Sequence, residues 1–184
     1  MPADRPFGAE TPDLELIARW RDGDERAASV LVERHAQALA RYVVSLGQRD
    51  GVDETVQDTF VRAFGSLDSF RGDSALRTWL FTIARRLVLD RRRSARRNRE
   101  VEDVTDSDVA TEYDALDGLI AREAHQKMHD AMSRLTPTQR EVFMLRVNDG
   151  MSYKEIASVV GTTEGAARVH YHNALRTVKE GLYV

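Results

Sequence analysis

Along nearly the whole chain apolar residues recur at three- and four-residue intervals, and alternation with a period of two is almost absent. That pattern predicts helices and next to no strand. Thr11-Pro12 opens a helix that runs to Asp22, with Gly23 as its stop. Asp24 caps a second helix over 25–46, whose apolar positions Val30, Leu31, Leu39, Val43 and Leu46 keep mostly to one face before Gly47 ends it. Asp53 caps a third, reaching Phe64. It buries Val56, Phe60, Ala63 and Phe64 and exposes Glu54, Gln57, Asp58 and Arg62. A polar loop over 66–74 leads into a long helix from about Ala75, in which Leu76, Leu80, Ile83, Ala84 and Leu87 form the core stripe.

Helicity resumes near Leu116 and runs to Arg134. Two capping boxes follow, Thr136-Pro137-Thr138-Gln139 and Ser152-Tyr153-Lys154-Glu155, each placing a hydroxyl at the cap and a Gln or Glu at the third helical position. Gly150 and Gly161 are the matching stops, and a last helix spans about 163–181. The expected organisation is all-α: a disordered leader (1–10), a four-helix domain (11–97), a flexible acidic linker (98–116) and a second small helical domain (117–184). A unit of that size is marginal alone and gains from leaning on a partner.

Residues 152–178 read as helix, glycine-bearing turn, helix. Two readings fit: a plain helical hairpin with a solvated face, or a helix-turn-helix. Ile156, Ala157 and Val160 bury the first helix, and Ala167, Tyr171, Ala174 and Val178 bury the second. Thr163, Glu164, Gly165, Arg168 and His170 are left to face outward, a small, polar and basic set suited to a major groove. On the long helix, Arg77, Thr78, Phe81, Thr82, Arg85 and Arg86 lie opposite the core stripe, with Trp79 near the boundary. Aromatic rings beside arginines suit single-stranded DNA, although aromatics at helical spacing also serve as core.

Charge sharpens this picture more than composition does. The net charge is only −3, but residues 85–99 carry eight arginines and one acid, and residues 100–117 carry eight acids and no base. Such blocks resist burial, so the first reads as an interaction surface and the second as a solvated tether. Of the 27 basic residues 24 are Arg, whose planar fork matches phosphate, although a GC-rich genome gives the same bias. With no cysteine the chain lacks disulfides and thiolate metal sites, and a reducing cytoplasm is expected. No apolar run reaches the roughly 18 residues of a membrane span, so no membrane insertion is expected. His125 and His129 stand at i, i+4 without an identifiable third ligand, and no phosphate loop, nucleophile motif or carboxylate pair stands out. No catalytic residue, metal or cofactor is therefore expected, and the chain does not read as an enzyme.

Taken in order, three segments resemble the extracytoplasmic-function branch of the sigma-70 family. DETVQDTFVRAF (53–64) resembles the helix that docks on the clamp coiled coil of core RNA polymerase. FRGDSALRTWLFTIARRLVLDRRR (70–93) resembles the segment that melts and captures the −10 promoter element. LTPTQREVFMLRVNDGMSYKEIASVVGTTEGAARVHYHNALRTV (135–178) resembles the domain that reads the −35 element. The resemblance implies an alternative sigma factor with core polymerase (β′ clamp and β flap), double-stranded and melted promoter DNA, and an anti-sigma factor as partners. It implies polymerase contacts from Glu54, Gln57, Asp58 and Arg62. For the −10 element it implies a flipped-base pocket at Phe70, Arg71, Gly72, Asp73 and Ser74, with Arg77, Trp79, Phe81, Arg85 and Arg86 alongside. For the −35 element it implies Thr163, Glu164, Gly165, Arg168 and His170. The acidic linker would thread the RNA channel. Three positions depart from the family: Arg86 stands where Asn is frequent, and His170 and Asn173 where Arg is usual. A stand-alone helix-turn-helix regulator is the competing reading, and it would bind duplex DNA tightly without polymerase.

Overall fold

The computed structural model describes residues 11–99 and 119–182. The expected leader, most of the expected linker and the start of the helix expected from Leu116 lie outside the described residues, as does the His125 side chain. Among the described residues there are eight α-helices, one 3-10 turn and no strand. They are α1 (Asp13–Arg21), α2 (Glu25–Ser45), α3 (Val52–Gly65), α4 (Leu76–Arg99), α5 (Leu119–Ser133), α6 (Pro137–Val147), α7 (Tyr153–Val160) and α8 (Glu164–Leu182), with the 3-10 turn at Leu67–Ser69. They divide into two compact units. One comprises 11–44 with 48–88, the other 45–47 with 89–99 and 119–182.

In the first unit α1 is held to α2 by a polar clasp. Asp13 accepts from Arg34 at 2.6 Å and from the buried His35 at 2.9 Å, and Arg34 also donates to the Thr11 carbonyl at 2.7 Å. Burial pushes the Asp13 carboxyl up, but the His35 and Arg34 partners outweigh it and hold it below the usual carboxylate range. Asp24 caps α2 by accepting from the Arg26 amide at 3.2 Å, while Arg19 reaches back to the same carboxylate at 2.9 Å. The apolar stripes meet as expected at Leu31, Leu39, Val43, Val56, Phe60, Ala63, Leu76, Leu80, Ala84 and Leu87.

Two expectations for this unit need correction. Gly51, in the left-handed region at φ 65, occupies the cap of α3 where Asp53 was expected. Thr55 and Thr59 also join the core, because their hydroxyls bond to the carbonyls of Gly51 (3.0 Å) and Thr55 (2.7 Å) and so cost nothing unsatisfied. The second correction concerns α4. Its buried arc is wider than one stripe, since Thr78, Phe81 and Val88 are buried as well. Phe81 stacks flat on Tyr42 of α2, ring centroids 4.7 Å apart. A helix packed on more than one side loses the clean two-face pattern from which Thr78 and Phe81 were read as outward.

In the second unit α8 packs against α5, α6 and α7. Ala131, Leu135, Phe143, Ala174 and Val178 form one core cluster. Both capping boxes are present: Thr136 and Ser152 accept from the Gln139 and Glu155 amides, and each acid or amide side chain returns to the cap amide. Gly161 closes α7 at φ 76 in the left-handed region, so the turn into α8 needs a residue without a Cβ.

Candidate nucleic-acid interface

α3 presents a polar surface to solvent. Glu54, Gln57 and Arg62 are exposed and Asp58 half-exposed. One turn after Gln57, Val61 is 70% exposed, an apolar residue in the middle of a charged face that periodicity did not single out.

The loop after α3 is pinned from three directions. Arg21 donates to the Leu67 carbonyl at 2.8 Å, Ser69 Oγ donates to the Ser66 carbonyl at 2.6 Å, and the buried Phe70 ring lies 5.1 Å from the Trp79 ring. Beyond Phe70, Arg71, Gly72 and Asp73 are exposed and Ser74 half-exposed. Gly72 adopts φ 77, a conformation that costs an L side chain strain and leaves the loop dependent on glycine. A shallow cleft opens here, lined by Gly72, Asp73, Ser74, Ala75 and Leu76 on one side and by Pro12, Asp13 and Leu14 of the α1 start on the other. The α1 wall was not anticipated. It comes from a contact distant in sequence, and no local pattern in α1 signals it.

On α4 the outward strip is narrower than expected. With Thr78 and Phe81 in the core, it consists of Trp79, Thr82 and Arg86, at i, i+3 and i+7, the first two half-exposed and the last exposed. Phe81, fully buried under Tyr42, has no face left for a base. Arg77 and Arg85 flank the strip and are half-buried, and the Arg77 guanidinium lies 5.3 Å from the centre of the Phe81 ring. Further along the arginine run, Arg92 donates to the Leu46 carbonyl at the end of α2, which neutralises a helix C-terminus. That arginine therefore has a structural task as well.

In the second unit, α7, the Gly161 turn and α8 form the helix-turn-helix. Thr163 caps α8 by accepting from the Ala166 amide at 3.1 Å, which leaves its hydroxyl hydrogen free to point at a phosphate. Glu164 and Arg168 pair across one turn at 3.1 Å. The Arg168 guanidinium also lies 5.1 Å from the centre of the Tyr153 ring, which a second cation, Arg146, approaches at 4.9 Å. Tyr153 thus steadies the arginine nearest the turn. Ala167, Ala174 and Val178 face inward, and the residues diametrically opposite are Gly165, Val169, His172 and Arg176, all exposed. His170 falls on the flank and is half-buried, so it does not share the outward face expected of it. Val169 and His172 take the central places. Counting the spacing outward from Ala167 and Ala174 finds them.

Among the described residues no group of three or more His, Asp or Glu side chains is placed to hold a metal, and no helix is long and apolar enough to cross a membrane.

Comparison with known proteins accords with this geometry. The family described as Sigma-70 region 2 matches residues 31–98, and Sigma-70, region 4 matches residues 125–178. The chain is 31% identical over 175 residues to the ECF RNA polymerase sigma-E factor of Escherichia coli strain K12, covering 90% of this chain and 92% of that one. It is 34% identical over 163 residues to the RNA polymerase sigma factor NccH of Alcaligenes xylosoxydans xylosoxydans, covering 84% and 86%. Among solved structures, the sigma factor RpoE in complex with the anti-sigma factor NepR, from Bartonella quintana, superposes with a TM-score of 0.68 at 30% identity, covering 83% of this chain and 94% of that one.

Proposed function

The chain belongs to the sigma-70 family, in its extracytoplasmic-function branch, and on that premise we propose how its surfaces divide the work of promoter recognition. It is an alternative sigma factor that directs transcription initiation, not a stand-alone regulator, since both sigma regions occur in order in one chain. Its domains are region 2 (11–97), the acidic linker (98–116) and region 4 (117–184), and the factor acts in the cytoplasm without chemistry of its own. Glu54, Gln57, Asp58 and Arg62 of α3, with Val61 among them, dock on the β′ clamp of core RNA polymerase, and region 4 meets the β flap. A charged rim around an apolar centre suits a protein interface.

At the −10 element, a base flipped from the stack enters the cleft at Gly72, Asp73 and Ser74, with Phe70 behind Trp79. The melted strand then follows the strip Trp79, Thr82 and Arg86, flanked by Arg77, Arg85 and Arg71. Rings offer stacking and arginines track phosphates, which matches single-stranded binding. At the −35 element, Glu164 and Arg168 offer an acceptor for cytosine N4 and a donor fork for guanine, with Thr163 on a phosphate and Gly165 giving access. Breaking the Glu164–Arg168 pair on binding is cheap, since both groups are exposed. An anti-sigma factor of the kind bound to the Bartonella RpoE occludes these surfaces until induction.

The observation that best supports this reading is the combination of a pinned loop, cleft and aromatic–basic strip in one unit with a groove-facing polar helix in the other. Run-off transcription with core polymerase on a genomic promoter library tests it. Specific starts that require the chain are expected. Identical starts with and without it would overturn the reading.

A further inference from the structure

Val169 is 58% exposed, the one large hydrophobic side chain so exposed on α8 among the described residues. It lies at the middle of the outward face, four residues after Gly165 and three before His172, directly opposite the buried Ala167 and Ala174. Everything around it on that face is small, polar or basic. An isolated valine there gains nothing from the fold.

We infer that Val169 is a specificity-determining residue of the upstream-element domain and reads the C5-methyl group of a thymine in the major groove. This rests on the proposal above that α8 enters that groove. The chemistry leaves one target. A valine side chain neither donates nor accepts, so setting it against the N4, O6, N6 or N7 edge of a base strips water from a polar group and returns nothing. The thymine methyl is the apolar feature the major groove offers, and aliphatic side chains contact it.

Reach is the second requirement, because valine is short and its backbone must come close to the base edge. Gly165, one turn towards the turn, supplies that approach. A Cβ built on it meets nothing within 4 Å, so no packing in the protein explains the glycine, and its absent side chain thins the helix where the groove wall would press. Gly165 and Val169 thus act as a pair, one opening space and the other using it. The upstream element is expected to hold an A·T pair whose thymine faces Val169.

The test uses the full chain assembled with core polymerase and the promoter found by run-off. Each thymine of the upstream element is replaced singly by deoxyuridine, which removes the methyl and nothing else, and binding is measured by competition. The wild-type holoenzyme is expected to lose about fourfold in affinity at one position, the worth of one buried methyl group. Val169→Ser should bind thymine and deoxyuridine alike at that position, while Val169→Thr, which keeps a methyl, should still distinguish them. Val169 is on the surface, so an unchanged melting temperature for both variants is expected. An upstream element insensitive to deoxyuridine at every thymine, or equal sensitivity in Val169→Ser, overturns the role of Val169 and leaves the sigma-factor reading standing. Failure to obtain any factor-dependent start overturns both.

Discussion

Gly165 stands in the first turn of α8 with nothing within 4 Å of where its side chain would be, and its backbone needs no positive φ. Glycine is the poorest helix former after proline, costing about 0.5–1 kcal/mol against alanine. Gly165→Ala is therefore expected to stabilise the isolated chain by that amount in denaturant unfolding. The same variant should weaken holoenzyme binding to the upstream duplex by about tenfold, because the added methyl presses on the groove wall. Opposite signs in the two measurements are what a residue kept for its ligand should give, and an unchanged duplex affinity would place Gly165 outside the interface. Glycines are not interchangeable here. At Gly72 and Gly161 the backbone itself sits at φ 77 and 76, and there the strain belongs to the fold.

At the scale of elements, two contacts decide how the helices lock. In the second unit α8 crosses α5 so closely that a Cβ on Gly181 would lie 2.8 Å from the Ala131 Cβ and 3.3 Å from its Cα. Gly181→Ala should destabilise the chain by about 1–3 kcal/mol, since backbone cannot yield as a flexible side-chain tip does, and a lowered urea midpoint checks it. In the first unit the α1–α2 clasp predicts a pH signature. The Asp13 carboxyl is held below its usual range by His35 and Arg34, so its stabilisation is full above the unfolded value of about 3.9 and is lost as the pH falls through the lower folded value. Asp13→Asn should cost on the order of 1 kcal/mol at neutral pH, and its deficit should shrink below about pH 4. A deficit that stays constant down to pH 3 would remove the clasp from the account.

These same contacts show what the chain reveals unaided. The caps at Asp24, Thr136 and Ser152 were legible because a cap and its amide lie two or three residues apart. The exposed Arg86 and Arg168, and Trp79 at the boundary of its helix, followed from helical period alone. Phe81 was misplaced because its partner, Tyr42, is on another helix, and the Pro12–Leu14 wall of the cleft was invisible for the same reason. His170 was misplaced differently. Taking the start of α8 as a block ignored the 100° between successive residues, which puts Val169 and His172 outward and His170 on the flank.

Over the whole molecule, charge explains why two DNA-facing units would be inert without a carrier. The chain is net acidic at −3, and its one dense basic run holds only eight of its 27 basic residues, so long-range attraction to duplex DNA is weak. Affinity must then come from assembly with polymerase, which holds both units to one promoter and makes the second contact effectively intramolecular. On the proposed division of work, the α3 face is then the point on which every downstream contact depends. Asp58 is half-exposed there, so Asp58→Arg reverses a charge at the interface without removing anything from the core. The variant should keep its helical circular dichroism and melting temperature while its affinity for core polymerase falls on the order of a hundredfold, the scale for breaking a desolvated charged contact. Val169→Ser serves as the contrasting control, with core affinity unchanged. The two variants should therefore fail at different stages: one never forms holoenzyme, and the other forms it and misreads the upstream element. Full core affinity in Asp58→Arg would mean that another face of the first unit carries the docking.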